Sequence, residues 1–227
     1  MGAQVQTQKR EKIEEKEIHV SKKIYKYVKR IIDILGALVG CTILFPLTIG
    51  IFIANIVAKD SGPLFYVQKR MGKNGKTFKL YKYRSMVVDA DRKLKRYLLD
   101  NPDANEEFIK YKKLKNDPRI TKVGNFIRKT SLDEFPQFIN VLKGDMSLVG
   151  PRPYLPREKR AMNKAYKEII KVKPGLTGPW QVNGRSDISF EERMKIDIEY
   201  VQNESALSDI KFLLKTVKAV IKVKGAK

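Results

Sequence analysis

From Ile31 to Ala58 the chain is apolar almost without interruption, and Asp33 is the only charged residue in that run. As a straight helix it would reach ~42 Å, enough to cross a bilayer, and it lacks the polar face that a soluble helix keeps. Pro46 falls near the middle, where it removes a backbone donor and favours a kink. Basic residues flank both ends: Lys22, Lys23, Lys26, Lys29 and Arg30 come before, and residues 59–96 hold twelve basic against three acidic residues. Basic flanks stay on the cytoplasmic side, so both ends ask for the same side. A re-entrant helix that bends at Pro46 and returns satisfies them, with arms of ~20 Å that stop short of the far leaflet. A proline-kinked spanning helix is the alternative.

The remaining pattern is polar with short apolar runs. Residues 1–28 form a charged arm with helical tendencies. Leu64 to Arg70 and Thr77 to Tyr83 are rich in aromatic and β-branched residues, and Asn74-Gly75 between them predicts a β-hairpin. Helices are expected over Met86–Leu99, Glu106–Leu114, Ile120–Lys129 and Ser131–Leu142. A loop-rich region follows, punctuated by Lys173-Pro174-Gly175 and Asn183-Gly184-Arg185. Ser189-Phe190-Glu191-Glu192 has capping-box spacing and opens a helix to about Val201. Ser208 to Lys224 is amphipathic, suited to a membrane surface or to packing on the core. The expected fold is α+β and mainly helical. Its parts are an arm over 1–28, a membrane segment over 29–59 and a cytosolic domain over 60–227.

Composition narrows the chemistry. The 47 Lys and Arg against 25 Asp and Glu give a formal charge of +22, which calls for an anionic partner: nucleic acid, an acidic membrane surface or phosphorylated substrates. Cys41 is the only cysteine and His19 the only histidine. An intrachain disulfide, a Ser-His-Asp triad and a zinc site built on several histidines are therefore excluded.

Against this basic background Asp133 and Glu134 stand side by side in Ser131-Leu132-Asp133-Glu134-Phe135-Pro136-Gln137. Ser131 and Glu134 have capping-box spacing, which would place both carboxylates at a helix N-terminus, where the dipole lowers carboxylate pKa. An ionised Asp can ligate magnesium or act as a nucleophile. First-turn acids are also ordinary helix punctuation, so the pair gains weight from its company. Arg128 precedes it by five residues, Arg152 is held between Pro151 and Pro153, and Arg185 follows an Asn-Gly turn. Three arginines near turns or helix ends beside a carboxylate pair suggest a phosphate site.

Several segments in order carry a resemblance. They are Lys29-Arg30 with Asp33, the apolar run with its proline, Gln68 to Gly72, Tyr81 to Met86, Ser131 to Gln137, Lys143 to Pro153 and Lys173 to Gly178. Together they resemble the bacterial sugar transferases, the monotopic phosphoglycosyl transferases that start O-antigen, capsule and exopolysaccharide assembly. The likeness spans about residues 22–224. It implies a re-entrant membrane hairpin and a catalytic face on the cytosolic side of the bacterial inner membrane. The implied partners are a UDP-sugar donor, undecaprenyl phosphate as acceptor and anionic membrane lipids. It implies that Asp133 is the nucleophile on the sugar-linked phosphorus and that Glu134 completes the pair and helps arrange Mg2+. Arg128, Arg152 and Arg185 match positions that hold phosphate groups. Two departures stand out: Tyr83 replaces the phenylalanine common in the family, and no tryptophan occurs near Glu204 to Leu207. The chain resembles a compact catalytic unit, without the additional N-terminal membrane helices of larger relatives. The C-terminal region leans towards relatives that handle glucose or galactose.

A membrane-tethered nucleic-acid or lipid binder would also use the charge of +22. It gives no use for the acidic pair, and the aromatics form no evident stacking platform. Nucleic acid is therefore not expected as a partner, and a homo-oligomer is left open.

Overall fold

The computed structural model describes residues 2–111, 114–183 and 188–221, with side chains placed over 23–109, 114–182 and 188–219. Helix α1, Gly2–Val57, joins the arm and the apolar run into one element and is assigned as helix through Pro46 without interruption. The hairpin follows as β1 (Phe65–Met71) and β2 (Thr77–Tyr83), antiparallel with Phe65 opposite Tyr83, and Asn74 takes the positive φ of 57° that its turn requires. Next come α2 (Ala90–Asp100), α3 (Pro102–Tyr111), α4 (Lys122–Lys129) and α5 (Gln137–Lys143). Beyond them lie β3 (Ser147–Val149), α6 (Lys159–Met162), α7 (Ala165–Ile169), β4 (Gly175–Thr177), α8 (Pro179–Asn183), α9 (Phe190–Gln202) and α10 (Ala206–Ile221).

The hairpin, the α9 capping box and the terminal amphipathic helix form where the pattern placed them. Met86 is not helical. It bridges to Ile120 and closes the neck of the α2–α3 excursion, so α2 begins only at Ala90. The helix expected from Ser131 is split. Leu132–Glu134 is a single 3-10 turn and α5 starts after Pro136. Ser131 has φ 59° and its side chain caps nothing, so the expected capping box is absent. The loop-rich region holds a short parallel pair, with Ser147 opposite Gly175 and Val149 opposite Thr177. Gly150 and Gly175 permit it, because a methyl on either would strike the other's backbone.

Helix α1 docks on the body along one stripe. Asp33, Ala37, Gly40, Leu44, Ile51 and Asn55 are buried, at the three-to-four-residue spacing of one helix face. Gly36 and Gly40 let Leu148 and Phe138 approach the helix closely. Ala37 joins a core with Leu80, Val141, Met146 and Val149, while Leu44 and Ile51 pack with Tyr83 and Ile127. The Tyr83 hydroxyl accounts for the departure at that position: it lies 2.5 Å from Thr48 Oγ1, two residues beyond Pro46. The opposite face of α1 is bare and apolar, with Leu35, Leu38, Val39, Phe45, Phe52 and Ile56 all exposed, Phe45 at 72%. By length and composition α1 could cross a membrane.

The charged residues near the middle of α1 are used inside the protein. Lys29 Nζ donates to Asp209 Oδ2 at 2.5 Å, to the Val149 carbonyl at 2.9 Å and to Tyr200 at 3.1 Å. Arg30 donates to the carbonyls of Val141 and Leu142 at 2.7 and 2.9 Å, capping the C-terminal turn of α5. Asp33 Oδ1 accepts from Ser147 Oγ at 2.9 Å and Leu148 N at 2.8 Å. Lys29 and Arg30, basic flanks of the apolar run in the sequence, are thus tertiary anchors.

Asp33→Ala leaves two buried donors without an acceptor, and we expect a loss of about 2–4 kcal/mol in denaturant unfolding of the micelle-bound protein. Asp33→Asn keeps an acceptor oxygen and should recover most of that loss.

Candidate active site

The acidic pair sits on the 3-10 turn between α4 and α5, facing β2. Lys82 on β2 reaches both carboxylates: its Nζ lies 2.8 Å from Glu134 Oε1 and 3.9 Å from Asp133 Oδ2. Glu134 is the more open of the two, its side chain 38% exposed against 15% for Asp133. Arg128, in the last turn of α4, lies near enough for its charge to act on Asp133.

Burial sets the charge state of Asp133. It raises the carboxyl pKa from 3.8 to about 6, reinforced by Glu134 and opposed by Lys82 and Arg128. This overturns the lowering expected from a helix N-terminus. A single 3-10 turn has little dipole, and the desolvation of the carboxylate outweighs it.

A second group surrounds the Gly150-Pro151-Arg152-Pro153 turn. Arg70 on β1 donates to the Pro153 carbonyl at 2.9 Å. Asp197 on α9 accepts from Arg152 N at 3.2 Å and from Tyr154 Oη at 2.8 Å. The turn is therefore clamped from both sides, and the Arg152 guanidinium lies over the rings of Tyr154 and Trp180. Arg70 links the two groups, because it feels the charges of both Arg152 and Glu134. Burial and then the nearby Arg152 lower its pKa to about 10. Asp197 is wholly buried, and that burial lifts its carboxyl to about 7 despite the two hydrogen bonds.

Of the residues picked out by sequence, Asp133, Glu134 and Arg128 come together, and Arg152 lies in the adjoining cation cluster. Arg185 lies outside the described residues. Pro46 is on the exposed side of α1. Lys82, Arg70, Trp180, Arg193 and Asp197 were missed. Lys82 and Arg70 look like the other basic residues of the hairpin. Asp197 did carry a signal, since it falls at helical spacing among Met194, Ile198 and Val201, on a face that should be apolar.

Among the described residues no three Asp, Glu, His or Cys side chains converge as a metal cage. Two adjacent carboxylates do fit Mg2+, which is commonly held by one or two carboxylates together with substrate phosphates.

A family model described as bacterial sugar transferase matches residues 24–223. The chain belongs to the bacterial sugar transferase family. Over 215 residues it is 47% identical to a Streptococcus agalactiae protein named galactosyl transferase CpsE, covering 92% of this chain and 46% of that protein. It is 45% identical over 208 residues to the undecaprenyl-phosphate galactose phosphotransferase of Salmonella typhimurium, covering 92% and 43%. The exopolysaccharide production protein ExoY of Sinorhizobium fredii is 41% identical over 198 residues, with 87% of each chain covered. This sugar transferase chain thus spans less than half of the first two relatives and most of the third.

The raised Asp133 pKa means that the ionised carboxylate weakens the fold above pH 6, and protonation relieves this as pH falls from 6 towards 3.8. Asp133→Asn should therefore stabilise the protein by about 3 kcal/mol at pH 8, with the gain shrinking below pH 6. Calorimetric melting at pH 8 and again below pH 6 checks this.

Proposed function

We propose that this chain transfers a hexose 1-phosphate from a UDP-sugar to undecaprenyl phosphate, with release of UMP, as the first membrane step of surface polysaccharide assembly. The observation that carries the proposal is the half-buried Asp133–Glu134 pair held by Lys82 beside a cluster of arginines. The names of two relatives, a galactosyl transferase and an undecaprenyl-phosphate galactose phosphotransferase, support this substrate class and favour galactose. A nucleic-acid binder has no use for a half-buried carboxylate pair.

In the proposed reaction a carboxylate oxygen of Asp133 attacks the phosphorus that bears the sugar. The bond from that phosphorus to the bridging diphosphate oxygen breaks, UMP departs, and an acyl phosphate carrying the sugar remains. A phosphate oxygen of undecaprenyl phosphate then attacks the same phosphorus and frees Asp133. Lys82 orients the carboxylates and offsets their charge. Arg128 and Arg152 neutralise incoming phosphate oxygens, with Arg185 assigned the same task from the family resemblance. Mg2+, held by Asp133 and Glu134 when bound with the donor, would supply further neutralisation of the diphosphate.

The proposed setting is monotopic, on the cytoplasmic face of the bacterial cell membrane. The bare face of α1 lies in lipid, anionic headgroups meet the surrounding basic residues, and the helix re-enters about Pro46. The docked inner face supports this arrangement, because a spanning helix would have to leave the body from Asp33 to Asn55. The arrangement predicts that reporters at both ends of the chain are reached only from the cytosol. Access to one end from outside would mean a spanning helix.

Purified protein given UDP-galactose should retain a radiolabelled sugar phosphate after denaturation, and Asp133→Asn should retain none and lose turnover. The value of kcat/KM should fall as pH drops through about 6, since only the ionised Asp133 attacks. Lys82 helps hold that carboxyl ionised, so Lys82→Met should move the acid limb to higher pH as well as slow the reaction. An unmoved limb would remove Lys82 from this role.

A further inference from the structure

The chain has one tryptophan, and two guanidinium groups share its ring. The guanidinium carbon of Arg152 lies 5.7 Å from the centre of the Trp180 ring and equally far from that of Tyr154. That of Arg193, from α9, lies 5.2 Å from the Trp180 centre. Cations at this range are drawn to an aromatic face, and arginine stacks with its plane on the ring. A guanidinium held to a ring by its face keeps its N–H edges for other partners. Among the described residues the Arg152 guanidinium makes no hydrogen bond, and its nearest anion is Glu158 at 3.9 Å. Arg193 is fixed by donating Nε and one Nη to the Ile188 carbonyl at 3.2 and 3.1 Å, which leaves its other Nη. Among the described residues the Trp180 Nε1 is buried without a partner, so the indole contributes its face and not its donor.

Such a grouping is electrostatically unfavourable when empty. Arg152 makes both Arg70 and Arg193 easier to deprotonate, behind the larger effect of burial. Glu158 and the buried Asp197 are the carboxylates at hand. An incoming oxyanion would offset the excess of cations, and paired guanidinium edges match phosphate geometry.

We propose that Trp180 is a positioning residue that holds Arg152 and Arg193 as a two-cation receptor for a phosphate group, with Arg193 its second donor. The phosphate chemistry is common to a nucleoside diphosphate and a lipid phosphate, and the test separates them. The inference rests on the transferase function proposed above for its choice of ligands, but its primary readout is binding.

Affinities for UDP and for a short-chain polyprenyl phosphate are measured by calorimetry on the purified full chain in detergent micelles. Trp180→Ala and Arg193→Met should each weaken one of these ligands about tenfold, the loss of one charge-assisted contact. The weakened ligand identifies the source of the phosphate. Trp180→Phe keeps an aromatic face and should stay within about threefold of the parent, which a merely structural role for the indole would not produce. If Trp180→Ala does not fold, judged by circular dichroism, Arg193→Met and Trp180→Phe decide the matter.

The proposal is overturned if folded Trp180→Ala or Arg193→Met binds both ligands at parental strength. It is also overturned if Trp180→Phe is as impaired as Trp180→Ala, or if the parent binds neither ligand. UMP release separates the two claims. Parental KM for the UDP-sugar and for the acceptor in both Trp180→Ala and Arg193→Met sinks the receptor and leaves the transferase standing. Loss of binding in a protein that turns over no UDP-sugar sinks the transferase and leaves the receptor.

Discussion

Three residues near the middle of the long helix hold the two halves of the site in register. Arg30 caps the last turn of α5, the helix that begins just after Asp133 and Glu134. Asp33 holds β3, the strand that runs directly into the Arg152 turn. Lys29 ties the end of β3 to α9 and α10 through Tyr200 and Asp209. Charged side chains this deep are costly without partners, and each has hydrogen-bonded ones. The apolar helix and the acidic pair are therefore one mechanical unit.

Within that frame the site is built under tension. Asp133 is pressed into a poorly solvated position that favours its neutral form, and Lys82 and Arg128 pull the other way. A short distance off, Arg70, Arg152 and Arg193 are held together against their own repulsion. A buried carboxylate and crowded cations are each unfavourable alone, and an anionic phosphate ester would relieve the cations. Natural sites often trade fold stability for such readiness.

Much of this was legible in the chain. Asn74-Gly75 announced the hairpin, Ser189 and Glu192 announced α9, and Asp133 and Glu134 stood out as acids in a basic protein. What escaped was set by tertiary contact. Ser131 and Glu134 have the spacing of a cap, but Pro136 cuts the helix, and the left-handed Ser131 turns its side chain away from the cap. Lys82 is one lysine among several on the hairpin, singled out only by what lies across from it. The β3–β4 pair is three residues long on each side, too short for periodicity to reveal. The stripe along α1 was hidden for another reason. Between Asp33 and Asn55 the docked face is apolar like the bare one, so hydropathy there cannot tell one from the other.

The close seating of α1, with Gly36 and Gly40 against Leu148 and Phe138, has a practical corollary for anyone seeking a water-soluble fragment. Trimming the chain back to Asp60 would strip α5 of its cap, β3 of its acceptor and two cores of their wall. The excised piece would be a damaged protein, and inactivity in it would say nothing about whether catalysis needs a bilayer.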